Sequence, residues 1–309
     1  MTLMSVGKQK TSKKIMITGG CGHIGSSLVE SLSSDHSVVV VDNLSTQRYC
    51  SLFDTESPIK FLEKDIGDLS DGDLDGVDVV VHLASITDAT GSFGDKEKIE
   101  LVNCTNTTKL MDLCRSTGCK FIFPSSTSVY GVAAEEVYED NDSFINPQSP
   151  YAESKIHGEN YLKKSGVDYI ILRLGTIFGN SKGMRFHTAI NKFCYQSSVG
   201  QSLTVWRENY EQHRPYLGLN DCVFAIRHFI ENDQWGQTYN VLTGNWKLSD
   251  IVEMIRSKTD VEVDMVDTPL LNQYSYLVNN NKLIETGFIP TDDLDLEIEN
   301  TLQRLRNLK

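Results

Sequence analysis

The chain has 309 residues, 39% hydrophobic and 23% charged, enough for one large domain or two closely joined ones around a full core. That balance excludes disordered, collagen-like and disulfide-scaffold proteins. A formal net charge of −13 argues against a general nucleic-acid binder, which needs a basic footprint, but not against a phosphorylated ligand held by backbone N–H groups and one or two Arg.

The seven cysteines, at 21, 50, 104, 114, 119, 194 and 222, form no C-x-x-C pair. Cys114 and Cys119 lie close, yet no second pair or His partner completes a zinc site. Free thiols in a reducing cytosol and no metal are expected. The first fourteen residues are polar and basic and lack the apolar core of a signal peptide. No stretch reaches the ~20 apolar residues of a membrane span. A cytoplasmic protein with a mobile tail of a dozen residues is expected, with neither membrane nor nucleic-acid partner.

In chain order, residues 15–18 read as a buried strand ending at Gly19-Gly20, and 24–32 as a helix. Strands follow at 38–41, 59–62 and 77–83. A helix is predicted over 99–114, with Leu101, Leu110, Met111 and Leu113 on its apolar side. Then come a strand at 120–123, a helix at 151–164 and a strand at 169–174. Strands apolar on both faces and separated by helices indicate a parallel sheet covered on both sides, the doubly wound α/β architecture. The later pattern is less regular: helix 184–195, strands 202–206 and 216–219, helix 221–230 capped by Asp221, strand 238–242, and helix 249–257 capped by Ser249. Residues 14–175 therefore read as the first domain and 176–309 as a smaller α/β lobe, with segments at about 214–243 returning to the first domain.

Gly19-Gly20-Cys21-Gly22-His23-Ile24-Gly25 stands between the first strand and the first helix. A diphosphate must approach such a backbone closely, where a Cβ would obstruct it, and the helix start supplies N–H groups and a favourable dipole. The next strand ends in Asp42, about 20 residues on, as a ribose-binding carboxylate should. Three agreeing features outweigh a turn that serves packing alone. Asp42 accepts hydrogen bonds from a ribose diol but repels a 2′-phosphate, and Asn43 follows it with no Arg before Arg48. NAD is expected over NADP.

Tyr151 and Lys155 are four residues apart, on one helix face, with Pro150 suited to the helix start. Free tyrosine, with a pKa near ~10, is a poor base at neutral pH; a neighbouring ammonium lowers that value. The phenol can then exchange a proton with a substrate hydroxyl while hydride moves. Alone the spacing is common by chance, but it follows a dinucleotide-binding half.

On these residues the chain resembles the extended short-chain dehydrogenase/reductases, in the NAD-dependent epimerase/dehydratase group that acts on nucleotide sugars. The resemblance runs from about Lys14 to Pro290. Its further motifs are Val81-His82-Leu83-Ala84-Ser85, Pro124-Ser125-Ser126-Thr127-Ser128-Val129-Tyr130-Gly131, Leu172-Arg173-Leu174-Gly175-Thr176-Ile177-Phe178-Gly179 and Arg214-Pro215-Tyr216. It implies a Rossmann domain with bound NAD and three catalytic groups: Ser126 on the reacting sugar hydroxyl, Tyr151 transferring the proton, and Lys155 on the nicotinamide ribose. It implies cofactor contacts from Gly19, Gly22, His23, Ile24, Gly25, Asp42, Asn43, Asp65, Ile66, Leu83, Ala84, Ser85, Asn103 and Leu174, besides Tyr151 and Lys155. Arg214 matches an arginine that grips the nucleotide diphosphate. Thr87, Ser126, Tyr151, Thr176, Arg185, Phe186 and His187 fall among the substrate contacts it implies; for His187 a structural role is equally open. The family also implies a homodimer through helices near 99–115 and 151–164, where Leu101, Met111, Ile156 and Tyr161 face either a partner or the sheet.

Two departures from the family pattern narrow the activity. Dehydratases of the group carry an Asp-Glu pair just after the catalytic Thr; here Thr127 and Ser128 stand there and cannot do that acid/base work. Thr176 replaces an Asn common in sugar epimerases. The expected function is epimerisation of a nucleotide sugar, at C4 through a 4-keto intermediate, with a UDP-hexose favoured by base rate. A dehydrogenase, reductase or decarboxylase using the same 4-keto chemistry is the alternative, and a non-catalytic NAD-binding protein a more remote one.

Overall fold

A computed structural model describes residues 12–87, 94, 96–131, 136–267 and 276–308; the expected tail falls on residues 1–11, outside them. The first half alternates as its periodicity predicts. It runs β1 (Lys14–Thr18), α1 (His23–Leu32), β2 (Ser37–Asp42), β3 (Lys60–Glu63), β4 (Val79–His82), α2 (Lys96–Ile99), a π-helical run (Glu100–Asn106), α3 (Thr107–Thr117), β5 (Lys120–Ser126), β6 (Glu136–Val137), α4 (Pro150–Ser165) and β7 (Tyr169–Leu174). Thereafter come β8 (Thr176–Phe178), α5 (Ala189–Ser198), β9 (Leu203–Trp206), β10 (His213–Gly218), α6 (Leu219–Glu231), β11 (Gln237–Val241), β12 (Gly244–Lys247), α7 (Leu248–Lys258), β13 (Val263–Val266), β14 (Leu277–Val278), α8 (Asn281–Glu285) and α9 (Leu294–Leu305).

Seven strands form one parallel sheet in the order β11-β7-β5-β4-β1-β2-β3. Its all-apolar strands follow from being covered twice. Ile15, Ile17, Val38, Val40, Val79 and Val81 pack with residues of α1 and α6. Their neighbours Met16, Val39, Val41, Val80 and Phe121 face the other way, onto Leu110 and Met111 of α3 and Leu162 of α4. The two-residue period of a strand sorts these side chains. Chain order reverses beside β1, so the crevice between the β1 and β4 ends is where ligands of such sheets bind. A three-stranded sheet, β12-β10-β8, and helices α5, α7 and α9 surround a third core. No helix among the described residues is long and apolar enough to cross a membrane.

Four expectations are corrected. The predicted helix over 99–114 contains the π run, and the altered turn rotates its start: Leu101 is 54% exposed while Leu110 and Met111 are fully buried. Met111 therefore packs inside the chain and cannot face a partner. The helix predicted from 184 begins at Ala189. Asp221 is not a cap; Gly218 precedes α6, and Asp221 is buried inside it. Ser249 is not a cap either; Lys247 holds that position, and the Asp250 carboxylate accepts from its N–H.

The buried Asp221 carboxylate accepts from Thr243 Oγ1 (2.6 Å), Thr291 N (2.7 Å) and Asp292 N (3.2 Å). Asp292 reciprocates by accepting from Asp221 N at 3.0 Å. Replacing Asp221 with Ala leaves the Thr243 hydroxyl and the part-buried backbone donors of Thr291 and Asp292 without this acceptor. Denaturant unfolding should register a loss of about 2–4 kcal/mol; unchanged stability would refute this account of the contact.

Candidate active site

β1 stops where the chain turns through Gly19, at φ +68°. A Cβ on Gly19 would lie 2.6 Å from Ala84 N, so the turn presses directly on the chain leaving β4. Gly22 then precedes α1 without any side chain capping the helix, and Gly25 lies buried in its first turn. An uncapped helix start without acidic residues is a site for an anion. Ile24 packs against the core below.

A second backbone closes on this turn from the C-terminal half. Gly183 sits so near that a Cβ would be 2.3 Å from Gly22 O. Gly183 N donates to Ser26 Oγ at 3.1 Å, and His23 Nδ1 bonds Ser181 Oγ at 2.6 Å. His23 Nε2 is buried without a hydrogen-bond partner among the described residues. Burial, then the charges of Arg185 and Arg48, push the His23 pKa down to about 3, so the ring is neutral at physiological pH. An orphaned ring nitrogen, an uncapped helix and a glycine cradle fit a dinucleotide diphosphate. Segment 181–183 went unrecognised in the sequence because Ser-Lys-Gly carries no spacing signal of its own.

Asp42 ends β2 beside this turn. Its carboxylate accepts from Cys21 N at 3.0 Å and from Leu44 N at 2.9 Å, which fixes its plane. Arg48, six residues on in sequence, comes close enough to feel the Asp42 charge. Asn43 Nδ2 donates to Asp65 Oδ2 at 2.9 Å, and Asn106 Nδ2 donates to Asp65 Oδ1 at 3.2 Å. Ile66 is 4% exposed and its side chain belongs to the core.

Leu83, Ala84 and Ser85 run half-buried along the crevice after β4. Asn103, from the π run, holds the next residue as a strand would: it accepts from Ile86 N and donates to Ile86 O, both at 2.9 Å. Its second amide hydrogen reaches Ser154 Oγ at 3.2 Å. Asn103 thus fastens the loop to α4, with both donor hydrogens engaged. Buried His82, at the end of β4, bridges β1 and α3, bonding Thr18 Oγ1 at 2.8 Å and Thr107 Oγ1 at 3.0 Å. Thr107 gives its own proton to Val102 O across the π turn, so it must accept from His82 Nε2–H. His82 Nδ1 is then the acceptor for Thr18.

The structure brings Ser126, Tyr151 and Lys155 together. Ser126 ends β5, and α4 opens at Pro150 under the cap of Ser149 Oγ, which accepts from Ala152 N. Ser128 donates twice to Ser126 Oγ, from its N at 3.1 Å and its Oγ at 2.9 Å. The Ser126 proton is thereby directed outward, and Ser126 stands close enough to the Tyr151 phenol to influence its titration. Burial raises the Tyr151 pKa; Ser126 and then the positive charge of Arg185 oppose that rise. Lys155 is 5% exposed and donates to Pro124 O at 2.9 Å. Its Nζ lies 5.6 Å from the Tyr151 ring centroid. Burial lowers its pKa to about 8, against the opposing charge of Glu159. Thr127 is turned away, donating to Leu174 O at 3.2 Å. Leu174 itself ends β7 and joins the core.

Arg185 donates to Thr87 Oγ1, which places those two together near the phenol. His187 is exposed and close enough to act on the charge of His23, while Phe186 packs against Tyr195, ring centroids 5.2 Å apart. Thr176 and Arg214 lie on the separate three-stranded sheet. The Arg214 guanidinium lies over the Tyr276 ring at 5.3 Å, and its buried Nη2 has no partner among the described residues, a donor suited to an anionic ligand.

A family model described as "NAD dependent epimerase/dehydratase family" matches residues 15–241. The chain is 30% identical over 249 residues to the uncharacterized UDP-glucose epimerase YtcB of Bacillus subtilis, covering 74% of this chain and 76% of that protein. It is 27% identical over 308 residues to the trifunctional UDP-glucose 4,6-dehydratase/UDP-4-keto-6-deoxy-D-glucose 3,5-epimerase/UDP-4-keto-L-rhamnose-reductase RHM1 of Arabidopsis thaliana. That match covers 90% of this chain but 44% of that protein, so the chain spans less than half of this relative. Among solved structures, UDP-glucuronic acid 4-epimerase from Bacillus cereus, in complex with UDP-glucuronic acid and NAD, matches with a TM-score of 0.86 and 26% identity. The match covers 96% of this chain and 100% of that one.

Gly19→Ala would force a Cβ into the Ala84 backbone. NAD affinity, followed by calorimetric titration, is expected to fall by about tenfold or more. Wild-type affinity in that variant would remove the turn from the cofactor site.

Proposed function

The chain belongs to the NAD-dependent epimerase/dehydratase family, and on that premise we propose that it epimerises a UDP-linked sugar at C4 through a 4-keto intermediate. The observation that carries this reading is the convergence of three groups: Ser126 stands close enough to the Tyr151 phenol to influence it, and the buried Lys155 Nζ lies 5.6 Å from the Tyr151 ring centroid. When bound, NAD supplies a place for the C4 hydride and gives it back. The chain's own residues manage the proton. Ser126, held by two bonds from Ser128, orients the 4-hydroxyl. Tyr151 takes its proton as the carbonyl forms and returns it at the end of the cycle. Lys155 stabilises the phenolate through its charge. Arg214, whose buried Nη2 has no partner among the described residues, is suited to the diphosphate.

Water loss is disfavoured by the same geometry. It needs an acid and a base at the two positions after Ser126, where Thr127 is committed to Leu174 O and Ser128 to Ser126. Arg185, whose positive charge reaches Tyr151, favours a sugar that carries a carboxylate. Such a sugar oxidised at C4 becomes a β-keto acid, so decarboxylation competes with return of hydride.

The test is incubation of the NAD-loaded protein with UDP-glucose, UDP-N-acetylglucosamine and UDP-glucuronic acid, read by NMR. A C4 epimer without net NADH or CO₂ is expected, fastest with UDP-glucuronic acid. Release of CO₂ identifies a decarboxylase, stoichiometric NADH a dehydrogenase, and no turnover a binding protein. Tyr151→Phe is expected to lower kcat by about 10²–10⁴-fold with NAD affinity retained; unchanged epimerisation in that variant would refute the role of the phenol.

A further inference from the structure

We propose that the buried Glu159–Arg173 ion pair is a positioning unit for the catalytic lysine: pinned one helical turn beyond Lys155, the Glu159 carboxylate keeps the Lys155 ammonium charged and in place beside Tyr151. The proposal rests on the reading of Tyr151 and Lys155 as the proton-transfer pair.

The geometry is specific. Lys155 and Glu159 are four residues apart on α4, hence on one face. The Glu159 and Arg173 side chains are each 1% exposed. Arg173 grips the carboxylate as a fork, Nε to Oε1 at 3.1 Å and Nη2 to Oε2 at 2.7 Å. Ser125, the residue before the catalytic serine, donates to the same Oε1 at 2.5 Å. The remaining Arg173 nitrogen, Nη1, donates to Tyr130 OH at 3.0 Å, which donates to Asn240 Oδ1 at 2.6 Å. The carboxylate is thus fixed from β5, β7 and β11 together. A buried ion pair of this kind adds little net stability over a well-packed apolar replacement. What it can add is a charge at a fixed place in a low-dielectric interior.

That charge bears on Lys155, whose surroundings otherwise disfavour an ammonium. Phe123 lies 5.0 Å from Nζ, and Pro124 O supplies one hydrogen bond. The other titratable groups facing it are Tyr151 on its own helix, Cys104 from the π run and His82 from the end of β4. His82 is held neutral, its pKa pushed down to about 3 by burial and then by Lys155 itself. Burial drives the Cys104 thiol up to about 12, so it is uncharged at neutral pH. Glu159 is the largest influence opposing deprotonation of Lys155. Removing its charge moves the Lys155 titration to lower pH, and a lysine that loses its proton earlier ends the active form earlier on the alkaline side.

The experiment is an NMR titration of the full-length protein labelled at the lysine Cε carbon, with the Lys155 signal assigned by its loss in Lys155→Arg. In Glu159→Gln the midpoint is expected to fall by about one pH unit. The alkaline limb of kcat/KM should fall with it. Glu159→Gln/Arg173→Met, which removes both charges and leaves neither orphaned, should show the same fall. An unchanged midpoint in either variant overturns the proposal, and failure of both to fold assigns the pair to the fold alone. A lowered midpoint in a protein that turns over no nucleotide sugar supports the coupling and defeats only the reading of the reaction.

Discussion

The closeness of three backbones at the carboxyl end of β1 is the constraint on which the site depends. Gly19 presses on Ala84 from β4, and Gly183 presses on Gly22 from the far half of the chain. No side chain larger than hydrogen fits at either contact. The sheet order puts β1 between β4 and β2, so this meeting point coincides with the reversal of strand order. The first turn of α1, Asp42 and the loop after β4 are all aimed from there.

Around that point charge is rationed by hydrogen-bond direction and burial. His23 and His82 are both neutral, one through burial and nearby arginines, the other through burial and Lys155. His82 also has its tautomer set by Thr107, whose proton is committed to the π turn. Positive charge stays with Arg48 and Arg185 by His23, with Lys155 by Tyr151, and on the smaller sheet with Arg214. Arg48 faces the Asp42 carboxylate, Lys155 the Tyr151 ring, Arg185 the Thr87 hydroxyl and Arg214 the Tyr276 ring.

The doubly wound half was legible in the sequence because buried parallel strands are apolar on both faces, and β7 was read at its true bounds. The Gly19–Gly25 turn, Asp42 and the Tyr151/Lys155 pair were legible because their spacing is local. What was not legible involves long-range pairing. Leu101 was misplaced because a π turn breaks the 3.6-residue period without any Gly or Pro to mark it. Asp221 looked like a cap because an acidic residue near a helix start usually is one; its partners, Thr243, Thr291 and Asp292, are distant in sequence. The bonds by which Asn103, expected beside the cofactor, ties Ile86 to Ser154 have no signal in the sequence. Glu159 and Arg173 stand in helix and strand patterns that say nothing of their pairing.

The reciprocal clasp of Asp221 and Asp292 has a mechanical consequence. Gly218, where β10 meets α6, lies so near Asp292 that the segment leading into α9 is seated on backbone rather than on side chains alone. Peeling that segment away would strand an anion inside α6, next to a strand of the main sheet. Partial opening is therefore nearly as costly as full opening. The C-terminal helix should melt in one cooperative transition with the central sheet rather than fray independently.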